Sequence, residues 1–341
     1  MIFALVVLVL LVISVLLNLG HALRGLLPVR VAGMRETGPR LEEVIKEDNG
    51  ASTKIALINV DGIITGQALD QGGFSMVEVV KAQLKRAAED DKVKAVILKV
   101  DSPGGEVLAS DEINRAIARF QDKPHSKPVV CSMGGLAASG GYYVAAPCRW
   151  IVANDLTITG SIGVILSTWN YRGLMNKVGL CPLTFKSGKF KDMLSGSREP
   201  ESITPEEREM VQSLVDETYK KFKDAVAEGR QRAHEKNRKE GRALHEDWGD
   251  YADGRILSGT EAHKLGFVDE LGTFEDAVKR TKAIAGIRSA NLIEYQQRYD
   301  LSDLFRLFGR TDSKVVKVDL GMDLPKLQAG QLYFLSPMFL H

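Results

Sequence analysis

Three apolar runs, each closed by a glycine-bearing turn and separated by stretches of helical spacing, constrain this chain more than anything else in it. Residues 54–60 (Lys-Ile-Ala-Leu-Ile-Asn-Val) stop at Asp61-Gly62, residues 93–100 run into Asp-Ser-Pro-Gly-Gly at 101–105, and residues 128–132 lead into Met-Gly-Gly at 133–135. Short apolar runs bounded by such turns read as buried strands. Between them Val77, Val80, Ala82, Leu84 and Ala87 recur at helical spacing, and 108–120 shows the same amphipathic pattern. An alanine-rich helix is expected over 136–146, with short strands at 150–153 and 162–167. This alternation predicts an α/β fold on a largely parallel sheet. Sites in such folds are built at the carboxyl ends of the strands, where all three glycine turns lie.

Farther along, Thr204-Pro205-Glu206-Glu207 is a helix-start signature opening a long polar-faced helix to about Arg230. The alternating charges of 231–242 suit a solvated helix end or loop. A helix plus turn is expected over 257–272 and another helix over 274–285. From Asn291 the chain turns to short strands, the last at 332–335.

The amino-terminal end has a different character. From Ile2 to Leu17 every residue is apolar except Ser14, and the pattern continues weakly to Leu27. A bilayer span needs roughly 20 apolar residues and a signal-peptide core about 7–15, so an uncleaved transmembrane anchor at 1–27 is preferred to a cleaved signal. Gly20-His21-Ala22 would serve as a cleavage site in the second case. A juxtamembrane connector at 28–52, a catalytic body at 53–290 and a carboxy-terminal extension at 291–341 complete the expected organisation. Arg24, Arg30 and Arg35 follow the span and no basic side chain precedes it, which by the positive-inside rule puts the body in the cytoplasm.

Charge and cysteine usage remove several classes of function. With 45 Lys+Arg against 44 Asp+Glu in 341 residues there is no basic surplus of the kind a nucleic-acid binder concentrates. Cys131, Cys148 and Cys181 are too few for a disulfide scaffold, their spacing fits no metal-ligand pattern, and their apolar or turn contexts suit burial. No metal and no cofactor is expected.

The residues that can carry chemistry gather in the turns. Ser139 in Ala-Ser-Gly-Gly (138–141) stands at a strand-to-helix junction with small neighbours that let a peptide backbone approach, although a capping or packing serine fits the same motif. The 101–105 turn offers backbone N–H groups that can bind an oxyanion or simply turn the chain. A nucleophilic serine needs a base. Of the six histidines, His21, His234, His245, His263 and His341 lie near the membrane, in charged or helical segments, or at the terminus, and His125 lies at the wrong end of its strand. The other route is a lysine kept neutral by desolvation, since a free lysine titrates near 10.4. Lys186, Lys189 and Lys191 share one segment, and only Lys191 is placed directly between Phe190 and the approach to Met193.

Together, Asp-Ser-Pro-Gly-Gly (101–105), Ala-Ser-Gly-Gly-Tyr (138–142), Thr-Gly-Ser-Ile-Gly-Val (159–164), Gly-Lys-Phe-Lys-Asp-Met-Leu-Ser (188–195) and the segment 256–269 resemble the S49 family of serine–lysine signal peptide peptidases. The likeness covers roughly residues 50 to 290. It implies a ClpP/crotonase-like spiral fold of repeated ββα units behind one amino-terminal transmembrane helix. It also implies Ser139 as nucleophile, Lys191 as general base, Ser161 hydrogen-bonded to the lysine amine, and an oxyanion hole from the N–H groups of Gly140 and of Gly105 rather than Gly104. Substrates would be hydrophobic peptides such as signal-peptide remnants. The partners implied are the cytoplasmic membrane and further copies in a ring-shaped homo-oligomer, with the catalytic body outside the cytoplasm, against the charge bias. Two other classes stand beside this one: a crotonase-type acyl-CoA enzyme, and a catalytically silent membrane scaffold of the same fold.

Overall fold

The computed structural model describes residues 38–68, 73–122, 126–238, 240–297 and 332–335. The expected anchor at 1–27 and His125 lie outside them; among the described residues no helix is long and apolar enough to cross a membrane. The fold is mixed α/β. Its main sheet carries, in order, β1 (Leu41–Glu47), β11 (Asn291–Gln297), β2 (Lys54–Asp61), β3 (Val93–Ser102), β5 (Val129–Ala138), β6 (Trp150–Ala153) and β10 (Glu270–Leu271). From β11 to β10 the pairings are parallel. The helices between them are α1 (Met76–Glu89), α2 (Val107–Gln121), α3 (Gly140–Ala145), α4 (Arg172–Lys177), α5 (Pro205–Lys236), α6 (Gly259–Lys264) and α7 (Phe274–Ala285).

The central strands are buried on both faces, which is why they read as continuous apolar runs. Ala56, Ile58 and Val60 of β2 join Val96, Leu98 and Val100 of β3 in the core shared with α1, α2, α3 and α5. The alternate residues Ile55, Leu57, Ala95 and Ile97 face Val278 of α7. Each large side chain removed from water here contributes about 1.5–3 kcal/mol. Capping boxes set the helix starts: Ser75 with Glu78 at α1 and Thr204 with Glu207 at α5, the latter with Pro205 in its first turn.

Three departures from the sequence reading matter. The stretch read as a connector contains β1, and the start of the extension forms β11; the two pair antiparallel and close one edge of the sheet. Only Leu41 and Val44 of β1 are even half-buried, so its charged residues show no alternation to reveal a strand. The segment 257–272 is not one helix but β9 (Ile256–Ser258), α6 and β10.

The third departure builds the site. Gly134-Gly135 does not end the third strand. Val100 of β3 pairs with Met133, yet Ser102 pairs with Ala137, so β5 bulges across Gly134–Leu136 and continues. Before the bulge β5 pairs with β6; after it, with β7 (Ile158–Gly160), which in turn pairs with β9. Asp101 fixes the bend by accepting from the Leu136 N–H at 3.1 Å. A separate three-stranded sheet, β4 (Gly104–Glu106), β12 (Leu332–Leu335) and β8 (Ile165–Leu166), lies alongside, with β12 in the middle.

Candidate active site

Ser139 occupies the single residue between β5 and α3, and the expected 136–146 helix therefore starts four residues late. Its backbone is at φ 53°, ψ −117°, a region that residues with a side chain seldom enter. Such a conformation persists only where the surroundings enforce it. Here they do: the Ser139 N–H donates to the Gly160 carbonyl at 2.8 Å, and its own carbonyl accepts from the Tyr143 N–H at 2.8 Å. The next residue has no room for a side chain, because a Cβ on Gly140 would stand 2.7 Å from the Ser110 hydroxyl and 3.0 Å from Gly104 Cα. The Ser139 side chain is buried and makes no capping bond.

The 101–105 turn comes to the same place. Gly104 has φ +102°, and a Cβ on it would lie 2.6 Å from the Gly140 nitrogen. The Gly104 carbonyl accepts from Ile64 N–H at 2.9 Å, and the Glu106 N–H donates to the Ile64 carbonyl at 2.8 Å. Backbone groups alternate sides along a strand, so the N–H of Gly105 points to the opposite edge, where it is in register with Phe334 of β12. The Phe334 carbonyl oxygen rests against both glycines: a Cβ on Gly104 would be 1.9 Å from it and one on Gly140 3.0 Å.

Ser161 is brought in by β7. Its N–H donates to the Arg255 carbonyl at 2.7 Å, and it too has a positive φ, 49°, and is buried. Since Gly160 accepts from Ser139, the two serines flank one hydrogen bond. Thr159 locks β7 to β5 through its hydroxyl on the Ala137 carbonyl at 2.6 Å.

Unlike the buried pair Ser139 and Ser161, Lys191 is exposed. No hydrogen bond joins it to either serine; its N–H approaches only the Gly188 carbonyl. The neighbouring lysines are tied elsewhere, Lys186 to Asp192 and Lys189 to Glu206. The arm that carries all three, residues 167–203, presents Trp169 at 82%, Leu183 at 83% and Phe185 at 96% exposure. Its foot is clasped to α5 by Arg198, whose guanidinium pairs with Glu207 and Asp192. The histidines in view bond elsewhere: His234 to the Gly241 carbonyl, His263 to Arg242, and His245 beside Asp247.

Comparison with known proteins supplies the family. The sequence profile described as peptidase family S49 matches residues 121–288. A protein of Synechocystis sp., provisionally named a protease, is 39% identical over 77% of this chain and 85% of its own length. An Enterococcus faecium protein provisionally named signal peptide peptidase SppA is 36% identical over 75% and 71%. The chain belongs to peptidase family S49. A Methanocaldococcus jannaschii relative, also provisionally named a protease, is 42% identical over 65% of this chain and 65% of its own length.

Two features of this S49 chain escaped the sequence reading. Tyr143 and Phe222 form an aromatic recess with Phe334, the rings 4.9 Å and 4.5 Å from it. The Tyr143 hydroxyl donates to Asp111 at 2.9 Å, and burial, then that carboxylate, pushes its pKa up, so it stays a phenol. The aromatic repeat at 142–143 was a visible signal, but nothing local marks Phe222 as its partner from 79 positions on. The cysteines divide: Cys131 and Cys148 are buried as their contexts suited, while Cys181, on the arm, is exposed. Burial raises the Cys131 thiol well above its ordinary value, which removes it as a nucleophile at neutral pH.

Proposed function

We propose that this chain is a membrane-anchored serine endopeptidase with a Ser139–Lys191 dyad, acting on hydrophobic peptides such as cleaved signal peptides. One observation supports the reading: a strained, buried serine precedes Gly140, and the Phe334 carbonyl, in register with Gly105, rests against Gly104 and Gly140. In this mechanism the Ser139 hydroxyl adds to the carbonyl carbon and its proton passes to neutral Lys191. Gly140 and Gly105 donate to the oxyanion. The ammonium then protonates the leaving amine, and water activated by the same lysine releases the acyl group. Each oxyanion donor is worth about 3 kcal/mol of barrier. Ser161, beside Ser139, holds the lysine amine.

A lysine in water is protonated near neutrality and takes no proton. The reading therefore requires that the 167–203 arm be covered. Its exposed Trp169, Leu183 and Phe185 give a reason for copies to assemble, in the ring-shaped oligomer proposed here, and assembly would strip Lys191 of water. The ClpP/crotonase-like spiral, the anchor at 1–27 and a body outside the cytoplasmic membrane belong to the same proposal. A catalytically silent scaffold would also present Lys191 to solvent, so the exposed amine gives that second reading its support.

Cleavage of a fluorogenic hydrophobic peptide, followed across gel-filtration fractions, separates them. Activity is expected in the assembled fraction alone and is expected to fall by at least about 10³ in both Ser139→Ala and Lys191→Ala. Full activity in either variant removes that residue from the dyad, and no activity in any fraction of the native protein favours the scaffold.

A further inference from the structure

A cavity of about 460 Å³ opens at the amino ends of β3, β5 and β6, the opposite rim of the sheet from Ser139, which follows the last residue of β5. That volume falls within the range of small-molecule sites, about 300–1,000 Å³. Each of the three adjacent strands brings a cation to it: Lys94 is the second residue of β3, Lys127 stands two residues before β5, and Arg149 one before β6. Lys236, the last residue of α5, adds a fourth, and none of the described residues lining the cavity is acidic. The four are not equivalent. Lys127 Nζ donates to the carbonyls of Ala87, Ala88 and Asp90 at 2.6, 3.1 and 2.7 Å, so it supplies charge but no free donor. Lys236 Nζ uses two of its three N–H groups, on the Gln121 carbonyl and Asp122. Lys94 is exposed and has no partner among the described residues. Arg149 is held firmly: Nε donates to Asn237 Oδ1 and Nη2 to the Lys236 carbonyl, while Asn237 Nδ2 donates back to the Arg149 carbonyl at 2.7 Å. Its Nη1 is unused, and no carboxylate among the described residues pairs with this half-buried guanidinium, whose pKa burial alone lowers. Nearby carboxylates are engaged elsewhere, Asp122 by Arg232 and Lys236 and Asp90 by Lys54.

Like charges gathered without a counter-charge repel one another, and here Lys94 adds to burial in lowering the pKa of Lys127. A bound anion would remove that cost. A guanidinium fork flanked by two ammonium groups matches a tetrahedral, doubly charged oxyanion better than a lone carboxylate. The other wall is apolar: Ile284 and Ala285, both half-buried at the end of α7, leave room for more than the anion itself. We propose that this cavity binds a small organic phosphate, its phosphate group held by Arg149, Lys94 and Lys236 in the field of Lys127, and the rest of the molecule lying on Ile284 and Ala285. The site is separate from the Ser139 turn and does not depend on the peptidase reading.

Titration calorimetry on the full chain in nonionic detergent, with AMP as the probe, tests this. At low salt AMP is expected to bind with a Kd below about 1 mM and inorganic phosphate more weakly, while acetate gives no signal. Binding should weaken at least about tenfold at about 0.5 M salt. Lys94→Glu, at a position with no partner to lose, is expected to weaken AMP at least about tenfold. Arg149→Gln should do the same, with Arg149→Lys restoring only part, since it keeps the charge without the fork. Lys85→Glu, on α1 and outside the cavity, should leave the Kd unchanged. A thermal melt supplies the second readout: AMP raises the melting temperature of the native chain and not of Lys94→Glu. No heat and no rise with AMP up to about 10 mM at low salt overturns the proposal, as does an unchanged Kd in both Lys94→Glu and Arg149→Gln. Acetate binding as tightly as phosphate overturns the choice of anion. Displacement of AMP by micelles carrying phosphatidic acid, at a lower phosphate concentration than AMP itself needs, assigns the site to a lipid headgroup and overturns the free molecule. None of these readouts uses peptide cleavage, so their failure leaves the peptidase reading untouched.

Discussion

Replacing Gly104 by alanine places a methyl group against the Phe334 carbonyl, the position that the proposed mechanism gives to the substrate carbonyl. The Cβ would stand 1.9 Å from the Phe334 oxygen and 2.6 Å from the Gly140 nitrogen, and both are backbone atoms with no flexible side chain to yield. Two costs follow. Holding a residue with a side chain at φ +102° costs about 1–3 kcal/mol of native stability. Pushing the carbonyl away from its donors costs far more in the reaction, since loss of one oxyanion donor is worth about 10²–10³ in rate and here the two N–H groups lose it together. Gly104→Ala is therefore expected to lower kcat/KM for a fluorogenic hydrophobic peptide by at least about 10²-fold. For a domain of this size the melting temperature would fall by only a few degrees per kcal/mol. Steady-state kinetics run beside a thermal melt make the comparison. A folded variant with kcat/KM within tenfold of the native value refutes the placement of the carbonyl at Gly104 and Gly140.

Two further expectations concern the supports of the site. Arg230 is wholly buried, its guanidinium paired with Asp269 and donating to the Cys148 carbonyl at 3.0 Å, so α5 is fastened under α3. Arg230→Met leaves the Asp269 carboxylate buried and is expected to cost about 3–5 kcal/mol, read as a lower urea midpoint, with part of the loss recovered in Arg230→Met/Asp269→Asn; an unchanged midpoint counts against it. At the foot of the arm, the Arg198 guanidinium and then the Thr204 N–H hold Glu207 at about 2, down from 4.5. A carboxylate with a depressed native pKa stabilises fully above its ordinary value and stops doing so as pH falls through the native one. Pepsin cleavage within 167–210 is accordingly expected to rise steeply from pH 4.5 to pH 2, and Glu207→Gln should show trypsin nicks there at pH 7. Native-like resistance of Glu207→Gln at pH 7 would contradict the clasp.

Much of the frame was legible because local rules decide it. Runs such as Ile55–Val60 are apolar on both faces, and the Ser75/Glu78 and Thr204/Glu207 boxes mark helix starts without help from the rest of the chain. What was not legible depended on distant partners. Gly134-Gly135 looks like the end of a strand, and only β7, more than 20 residues later, turns it into a bulge and delays the helix until after Ser139. β1 is a strand only because β11, some 245 residues away, offers an edge. At the site, the motifs directed attention to the turns at 101–105, 138–142 and 159–164, which the fold gathers together. The segment with Lys191 is different. A phenylalanine beside a lysine suggested an apolar setting, but in the single chain Phe190 is half-buried with the Lys189 ammonium over its ring, and Lys191 is exposed.

The contrast between that arm and the turn at Ser139 has a consequence for a newly made copy. On the proposed dyad, half of the chemistry would be finished when the body folds, for the Ser139 hydroxyl and its glycine neighbours are fixed by the sheet itself. The other half would wait on an outrigger whose large apolar side chains stand in water. A solitary molecule would then carry a loaded but uncocked device, harmless to the unfolded chains around it.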